Sequence, residues 1–239
     1  MKVSALPNAV LFDMDGTLID SEHLWLTAEI QVMDALGGQW TSEDQSHCLG
    51  GPLERVADYM IERSGTSASQ TDVGRMLLGA IETLMHEEPL TWRPGARELL
   101  AETMDLGIPR ALVTASWQVL VNALADRMRE EMGGEPFTAV VAGDHTRNSK
   151  PHPEPYLMAA AALDASPVSS LALEDSPTGV QSARDAGCAV VAIPHLAPIS
   201  IDGVYVVETL HGYGIEQLWV AASGVRRRLD EAGDLSQRW

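Results

Sequence analysis

Two hydrophobic patterns divide the chain. In residues 21–88, apolar side chains recur every three or four positions, which is the spacing of amphipathic helices, and no clear strand interrupts them. From residue 90 onward, short apolar runs rich in β-branched residues alternate with helical stretches, as in βαβ units. One further apolar run, residues 10–12, precedes the helical part. The pattern therefore indicates an α/β protein whose first strand is followed by a helical insertion.

The predicted elements follow the order expected for a mainly parallel sheet that is covered by helices on both faces. In the insertion, helices are predicted over residues 21–38, 52–65 and 72–88, the first with Ser21 as its N-cap. In the second part, helices are predicted over residues 93–107, 117–128, 153–163 and 177–187, and strands over 110–116, 137–144, 169–176 and 188–194. After residue 198 we expect a last strand and a closing helix over residues 215–231.

This division sets the expected domains. We predict a Rossmann-like α/β core made of residues 1–20 and 91–239, with an inserted all-helical domain of residues 21–90 after the first strand. A length of 239 residues suits a core with such an insertion. A hydrophobic content of 45% with 21% charged residues is typical of a globular protein and argues against disorder.

The charge of the chain limits its partners. With 16 basic and 34 acidic residues the net charge is −18, and such a surface repels nucleic acids and anionic membranes. No apolar run is long enough to span a bilayer, and no signal peptide is apparent, so a cytoplasmic location is expected. Cys48 and Cys188 lie far apart and lack metal-ligand spacing. The oligomeric state is left open, with a monomer favoured.

Polar residues that can bind a metal ion or a phosphoryl group follow four of the predicted strands. Ligands of such sheets bind beyond the carboxyl ends of the strands, where these residues would meet. They are Asp13 and Asp15 after the first strand, Thr114 and Ser116 after the second, Lys150 after the third, and Glu174 and Asp175 after the fourth. Together they can bind a divalent cation and a phosphoryl group at one edge of the sheet.

The residue types suggest how phosphoryl transfer would proceed. Asp13 and Asp15 leave the strand two positions apart, so their side chains point into the same space. Mg²⁺ prefers oxygen ligands, and it would provide the positive centre that an acidic protein needs for an anionic substrate. One aspartate could attack phosphorus while the other, with a raised pKa, transfers protons. Lys150 and Thr114 would bind the phosphoryl oxygens by charge and hydrogen bond.

This constellation resembles the haloacid dehalogenase superfamily of phosphohydrolases. Its four motifs appear in the family's order as FDMDGTLIDSE, LVTAS, the lysine of SKPHPEPY, and LEDSPTG. The resemblance implies that Asp13 is the nucleophile, which becomes an aspartyl phosphate, and that Asp15 is the general acid/base. It also implies that Mg²⁺ is held by the Asp13 carboxylate, the Asp15 backbone carbonyl and Asp175, with Glu174 nearby.

The insertion matches the position of a helical cap in this family. Such a cap closes over the substrate, and its hinges here would lie near residues 19–21 and 91–94. Three residues have alternative roles. Ser116 either contacts phosphate or caps the helix that begins at residue 117. Gly16 is a candidate for the phosphate site, although a turn after the aspartates explains a glycine equally well. Trp25 either packs inside the cap or faces the substrate.

Several activities within the family remain to be compared. The segment SEHLWLTAE looks most like the branch that contains sugar-phosphate phosphatases and β-phosphoglucomutase. In the mutase, a histidine stands where this chain has Trp25, and a sugar-phosphate-binding arginine stands where it has Glu54, although Arg55 is one step away. Both differences favour hydrolysis of a sugar or polyol phosphate over the mutase reaction. Phosphoglycolate is an alternative substrate.

Two further alternatives are weaker. Dehalogenases and phosphonate-cleaving members differ at the position of Asp15, so neither activity is supported. A binding or regulatory protein on an inactive scaffold is a non-enzyme alternative. The presence of the complete set of candidate residues argues against it: Asp13, Asp15, Thr114, Lys150 and Asp175.

Overall fold

The structure of the protein is a computed structural model that covers residues 5–48 and 53–236, with side chains described up to residue 229. Within it, six strands form one sheet in the order β3-β2-β1-β4-β5-β6, and every neighbouring pair is parallel. The strands are β1 (Ala9–Phe12), β2 (Arg110–Val113), β3 (Ala139–Val141), β4 (Ser170–Glu174), β5 (Ala189–Ala192) and β6 (Tyr205–Val206). The predicted α/β fold with a parallel sheet is therefore confirmed.

Nine helices accompany the sheet in the described part of the chain. They are α1 (Glu22–Ala35), α2 (Ser42–Cys48), α3 (Leu53–Ser64), α4 (Gln70–Glu87), α5 (Ala96–Asp105), α6 (Gln118–Met132), α7 (Glu154–Ala162), α8 (Pro177–Asp185) and α9 (Ile215–Ser236). The first four lie between β1 and β2, and no strand occurs among the described residues of that stretch. The predicted helical insertion after the first strand is confirmed, while the exact domain boundaries remain a prediction.

The central strands bring the candidate residues to one edge because their registers match. Both faces of β1 and β4 are buried, which explains their uninterrupted apolar sequence. Phe12, at the end of β1, pairs with Leu112 on one side and with Leu173 on the other. The residues that follow these three strands therefore emerge at the same level of the sheet.

Two adjacent connections join the insertion to the sheet. Ile19 and Trp92 form an antiparallel bridge. The backbone N–H of Asp20 donates to the Thr91 carbonyl at 2.8 Å. The predicted hinge segments thus lie side by side, which keeps the entrance and exit of the insertion together.

The insertion also contacts the core away from these connections. An apolar cluster joins α1 and α4 of the insertion to α6 of the core; its buried members are Leu24, Ala28, Ile81, Leu84, Met85, Leu120 and Ala123. The Arg127 guanidinium on α6 donates to the carbonyls of Met85 (3.2 Å), His86 (2.9 Å) and Glu88. The end of α4 is therefore bound to the core by both apolar and polar contacts.

The prediction was wrong in two local details. Helix α2 was not predicted, because its seven residues are mostly polar and its stability depends on tertiary contacts of the buried Asp44. The Asp44 carboxylate accepts hydrogen bonds from Thr41 and from the Tyr59 hydroxyl.

The second detail is the predicted cap of α1. Ser21 does occupy the N-cap position of α1, but its hydroxyl makes no capping bond. It donates to Asp15 instead, because that carboxylate lies directly beside it.

The C-terminal part agrees with the prediction of a last strand and a closing helix. The strand is β6, which has only two residues, and the helix is α9, which begins at residue 215 as expected and continues to residue 236. No helix in the described ranges combines the length and the apolar character needed to cross a membrane.

Candidate active site

Asp13 lies at the end of β1 with one carboxylate oxygen bound and the other free. Its backbone N–H donates to the Leu173 carbonyl at 3.0 Å, which continues the pairing of β1 with β4. Oδ1 accepts a hydrogen bond from Lys150 Nζ at 2.7 Å. Oδ2 is buried and has no hydrogen-bond partner among the described residues. A buried, unpartnered carboxylate oxygen is costly, so this atom is the one available to a ligand.

Lys150 links three strand ends. Its Nζ donates to Asp13 Oδ1, to Glu174 Oε1 at 2.5 Å and to the Val113 carbonyl at 2.9 Å, so each of its three protons has an acceptor. Burial disfavours the ammonium, but the charges of Asp13 and Glu174 outweigh it and hold the pKa of Lys150 above its usual value. The lysine is therefore a fixed positive charge beside the free oxygen of Asp13.

Glu174 is completely buried and accepts five hydrogen bonds. Oε1 accepts from Lys150 and from the Tyr156 hydroxyl, the latter at 2.9 Å. Oε2 accepts from the backbone N–H groups of Asp175 (3.1 Å) and Ser176 (3.2 Å) and from the Ser176 hydroxyl (3.1 Å). With both oxygens engaged, Glu174 anchors Lys150 and the loop after β4.

Asp15 is held by two hydroxyl groups, one from the nearby Ser21 and one from Ser116 after β2. Ser21 Oγ donates to Oδ1 at 2.5 Å, and Ser116 Oγ donates to Oδ2 at 2.7 Å. Ser116 does not cap α6, because Trp117 occupies the N-cap position and the N–H of Gln118 donates to another side chain. Each serine therefore contacts the second aspartate of the site.

Thr114 is buried directly after β2. Its hydroxyl accepts a hydrogen bond from the Ser116 backbone N–H at 2.9 Å, and its own N–H donates to the Val141 carbonyl at 3.0 Å. These bonds orient the loop after β2 toward the aspartates. Whether Thr114 and Ser116 bind phosphate remains a prediction.

Two glycines are needed because carboxylates lie against their backbones. Gly16 has φ +82°, and a Cβ there would lie 2.1 Å from Asp175 Oδ2. A Cβ at Gly179 would overlap the Glu174 carboxylate. Gly16 thus provides both the turn and the close approach of Asp175. Its predicted place in the phosphate site is untested.

Three carboxylates crowd this edge of the sheet. Asp13, Glu174 and Asp175 each place an oxygen within 4.8 Å of the others, an arrangement that could hold a metal ion. Burial and then the Glu174 charge raise the pKa of Asp13 to about 7. Burial and then the charges of Asp13 and Glu174 raise the pKa of Asp175 to about 9. The oxygen donors of the three carboxylates and their surplus negative charge together fit a hard divalent cation.

Sequence reasoning missed two residues beside this cluster. Tyr156 is fully buried on α7 and contacts both Glu174 and Lys150. His195 follows β5, and its Cδ2 lies 3.3 Å from the position of a Cβ on Gly16. The signal for His195 was its place after a fifth strand end, although a single histidine shows no ligand spacing that would draw attention to it. Tyr156 is the last residue of the motif SKPHPEPY, of which only the lysine was given a role.

The residues that bear on the mutase alternative lie on the insertion. Trp25 is half-buried and packs against the apolar cluster that joins the insertion to α6. Glu54 is exposed on α3, and the Arg55 guanidinium donates to the Cys48 carbonyl at 3.2 Å. Trp25 therefore lies where the insertion meets the core. Contact of any of these residues with a substrate remains a prediction.

Comparisons with known proteins identify a matching family model and similar proteins. A family model described as haloacid dehalogenase-like hydrolase matches residues 10–193. The chain is 32% identical over 192 residues to protein CbbY of Cereibacter sphaeroides, covering 78% of this chain and 84% of that protein. It is 33% identical over 190 residues to hexitol phosphatase B of Escherichia coli K12, covering 78% and 83%. A crystal structure of a CbbY mutant from Rhodobacter sphaeroides in complex with xylulose-(1,5)bisphosphate superposes with a TM-score of 0.76 at 28% identity, covering 89% and 99%.

Proposed function

Because this chain belongs to the haloacid dehalogenase-like hydrolases, we propose that it is a Mg²⁺-dependent phosphatase of small phosphorylated metabolites, most suited to a sugar or polyol phosphate. That it is a phosphoric monoester hydrolase follows from its family and from its phosphatase relatives. One observation at Asp13 carries the proposal. Its Oδ1 accepts a hydrogen bond from Lys150, whereas its buried Oδ2 has no hydrogen-bond partner among the described residues.

In the proposed reaction Asp13 Oδ2 attacks phosphorus. A bond forms between Oδ2 and phosphorus while the bond from phosphorus to the leaving alcohol oxygen breaks, which leaves an aspartyl phosphate. Asp15 gives a proton to the leaving oxygen, and it takes one from the water that then hydrolyses the aspartyl phosphate. The hydroxyls of Ser21 and Ser116 support this role because they fix the Asp15 carboxyl group at two points.

The residues that would hold Mg²⁺ are Asp13, the backbone carbonyl of Asp15, and Asp175. When bound, the ion would offset the repulsion between the carboxylates and the anionic substrate. Glu174 is less suited to direct coordination, because five donors already engage its oxygens. Lys150 provides a second positive charge for the phosphoryl oxygens, with Thr114 as a hydrogen-bonding partner.

The substrate class is inferred from the relatives and from the insertion. One relative is named as a hexitol phosphatase, and the crystallised CbbY holds a sugar bisphosphate. The residues at the positions aligned with the mutase's histidine and arginine are Trp25 and Glu54, which cannot supply the same chemistry. Hydrolysis is therefore preferred over the β-phosphoglucomutase reaction.

The test is phosphate release from a panel of phosphomonoesters, including hexitol, sugar and glycolate phosphates, with Mg²⁺ and with EDTA. We expect metal-dependent release, and we expect Asp13→Asn to abolish it while the circular dichroism spectrum is unchanged. Asp34→Asn, on the exposed side of α1, is the matched control and should keep full activity. No release from any substrate would refute the phosphatase. Conversion of β-glucose 1-phosphate to glucose 6-phosphate without net release would establish the mutase.

A further inference from the structure

Tyr156 is a completely buried tyrosine that no predicted role explains. It lies on α7, and its hydroxyl donates to Glu174 Oε1 at 2.9 Å. Its ring centroid lies 5.2 Å from Lys150 Nζ, within the range of a cation–π contact. One side chain thus contacts both members of the Lys150–Glu174 ion pair.

The fold explains how Tyr156 reaches this pair. Helix α7 begins four residues after Lys150 and packs against the sheet, where Tyr156 belongs to an apolar cluster with Leu11, Val113 and Val190. A buried hydroxyl needs a hydrogen-bond partner, because leaving it unpaired costs free energy. Among the bonds that the structure records, its partner is the carboxylate that also accepts from the lysine.

The contact matters because Glu174 Oε1 is one of the three acceptors of Lys150. The other two are Asp13 Oδ1 and the Val113 carbonyl. The Tyr156 hydroxyl and Lys150 Nζ both donate to this one oxygen, Glu174 Oε1. A shift of Oε1 would draw Nζ with it and change the distance from the lysine to the reacting oxygens around Asp13.

We propose that Tyr156 is a positioning residue for phosphoryl transfer: its hydroxyl, by way of Glu174, and its ring, by direct contact, hold Lys150 against Asp13. This inference rests on the proposed phosphatase function. It predicts that the hydroxyl of Tyr156 affects the chemical step, in which charge develops on the oxygens near Lys150, more than it affects substrate binding.

The test compares two hydroxyl deletions. Tyr156→Phe keeps the ring and removes the bond to Glu174. Tyr59→Phe removes a similar bond, from the Tyr59 hydroxyl to Asp44 Oδ1 at 2.8 Å, inside the insertion. We expect Tyr156→Phe to lower kcat about tenfold or more with KM within about threefold of the wild type. Both replacements should lower Tm by a similar amount, because each removes one bond from a tyrosine hydroxyl to a carboxylate. Tyr59→Phe should leave kcat unchanged.

Two further measurements identify the route of the effect. The Mg²⁺ affinity of Tyr156→Phe, measured by calorimetry without substrate, should stay within about threefold of the wild type, because the hydroxyl acts on the lysine side of the site. In a Glu174→Gln background, Tyr156→Phe should have a much smaller effect on kcat, since residues that act through one another are non-additive.

Three results would overturn the proposal. They are an unchanged kcat in Tyr156→Phe, a loss of Mg²⁺ affinity that parallels the loss of activity, and full additivity with Glu174→Gln. A wild-type protein without activity on any phosphomonoester would instead refute the proposed function. If Tyr156→Phe were unstable, additivity could still be measured at a temperature where circular dichroism shows the native fold.

Discussion

The replacement Gly16→Ala tests whether the close approach of Asp175 to the turn after Asp13 is required for activity. Gly16 has φ +82°, a conformation that costs an alanine roughly 1–2 kcal/mol. The new Cβ would also lie 2.1 Å from Asp175 Oδ2, whereas ordinary contacts begin at 3.4 Å. The carboxylate must therefore shift by about 1.3 Å (3.4 − 2.1). Because a displacement of about 1 Å at a reacting site can cost about 100-fold in rate, we expect a loss of that order in kcat and weaker Mg²⁺ binding.

A second glycine provides the control. Gly212 also has φ +82°, but nothing lies within 4 Å of the position of its Cβ. Gly212→Ala should therefore have the same backbone cost, visible as a lower Tm, and keep full activity. Thermal unfolding and Mg²⁺-dependent phosphate release of both variants separate the two effects. Equal activity of Gly16→Ala and Gly212→Ala would refute the reasoning, because the two glycines share the same φ and differ in the contact that a Cβ would make with Asp175.

Two further predictions concern pH and the contact between the insertion and the core. Without metal, stability should fall as pH rises from about 4 to 9, because the pKa values of Asp13 (about 7) and Asp175 (about 9) exceed the usual 3.8, so the native state binds more protons than the unfolded state. This trend is measured as Tm against pH by thermal unfolding in EDTA, with samples in Mg²⁺ as the stabilised comparison. A Tm that rises across the whole range from about pH 4 to 9 would contradict the prediction. Arg127→Ala should destabilise the protein by about 1–2 kcal/mol, since three carbonyls at the end of α4 lose their donor. Arg75→Ala, which removes an exposed ion pair, should have little effect, and equal denaturant midpoints for the two variants would contradict the assignment.

Local patterns were sufficient to predict the strands, every helix except α2, and the polar residues that follow the first four strands. The apolar run before Asp13 was predicted to be a buried strand because it lacks polar residues on both faces, and the structure confirms this strand. Polar residues that follow parallel strands lie along the same edge of the sheet, and they meet where their strands are neighbours. This is why Asp13, Lys150 and Asp175 could be assigned to one site from the sequence, and the structure does bring them together.

Other features depend on contacts between segments that are distant in sequence. The bond between Ser116 and Asp15 spans 101 positions, and the one between Lys150 and Asp13 spans 137. Helix α2 is equally non-local, since its buried Asp44 is bound by residues of α3. A periodic pattern carries no information about such pairs.

The fold class, the helical insertion and the residues capable of phosphoryl-transfer chemistry therefore follow from the amino-acid sequence alone. The tertiary structure was needed to decide which oxygen of Asp13 is free, which groups hold Asp15, and that Tyr156 lies beside the lysine. The physical reason is that strands and helices follow from short-range hydrophobic periodicity. The partners of each buried polar atom follow instead from how the completed elements pack against one another.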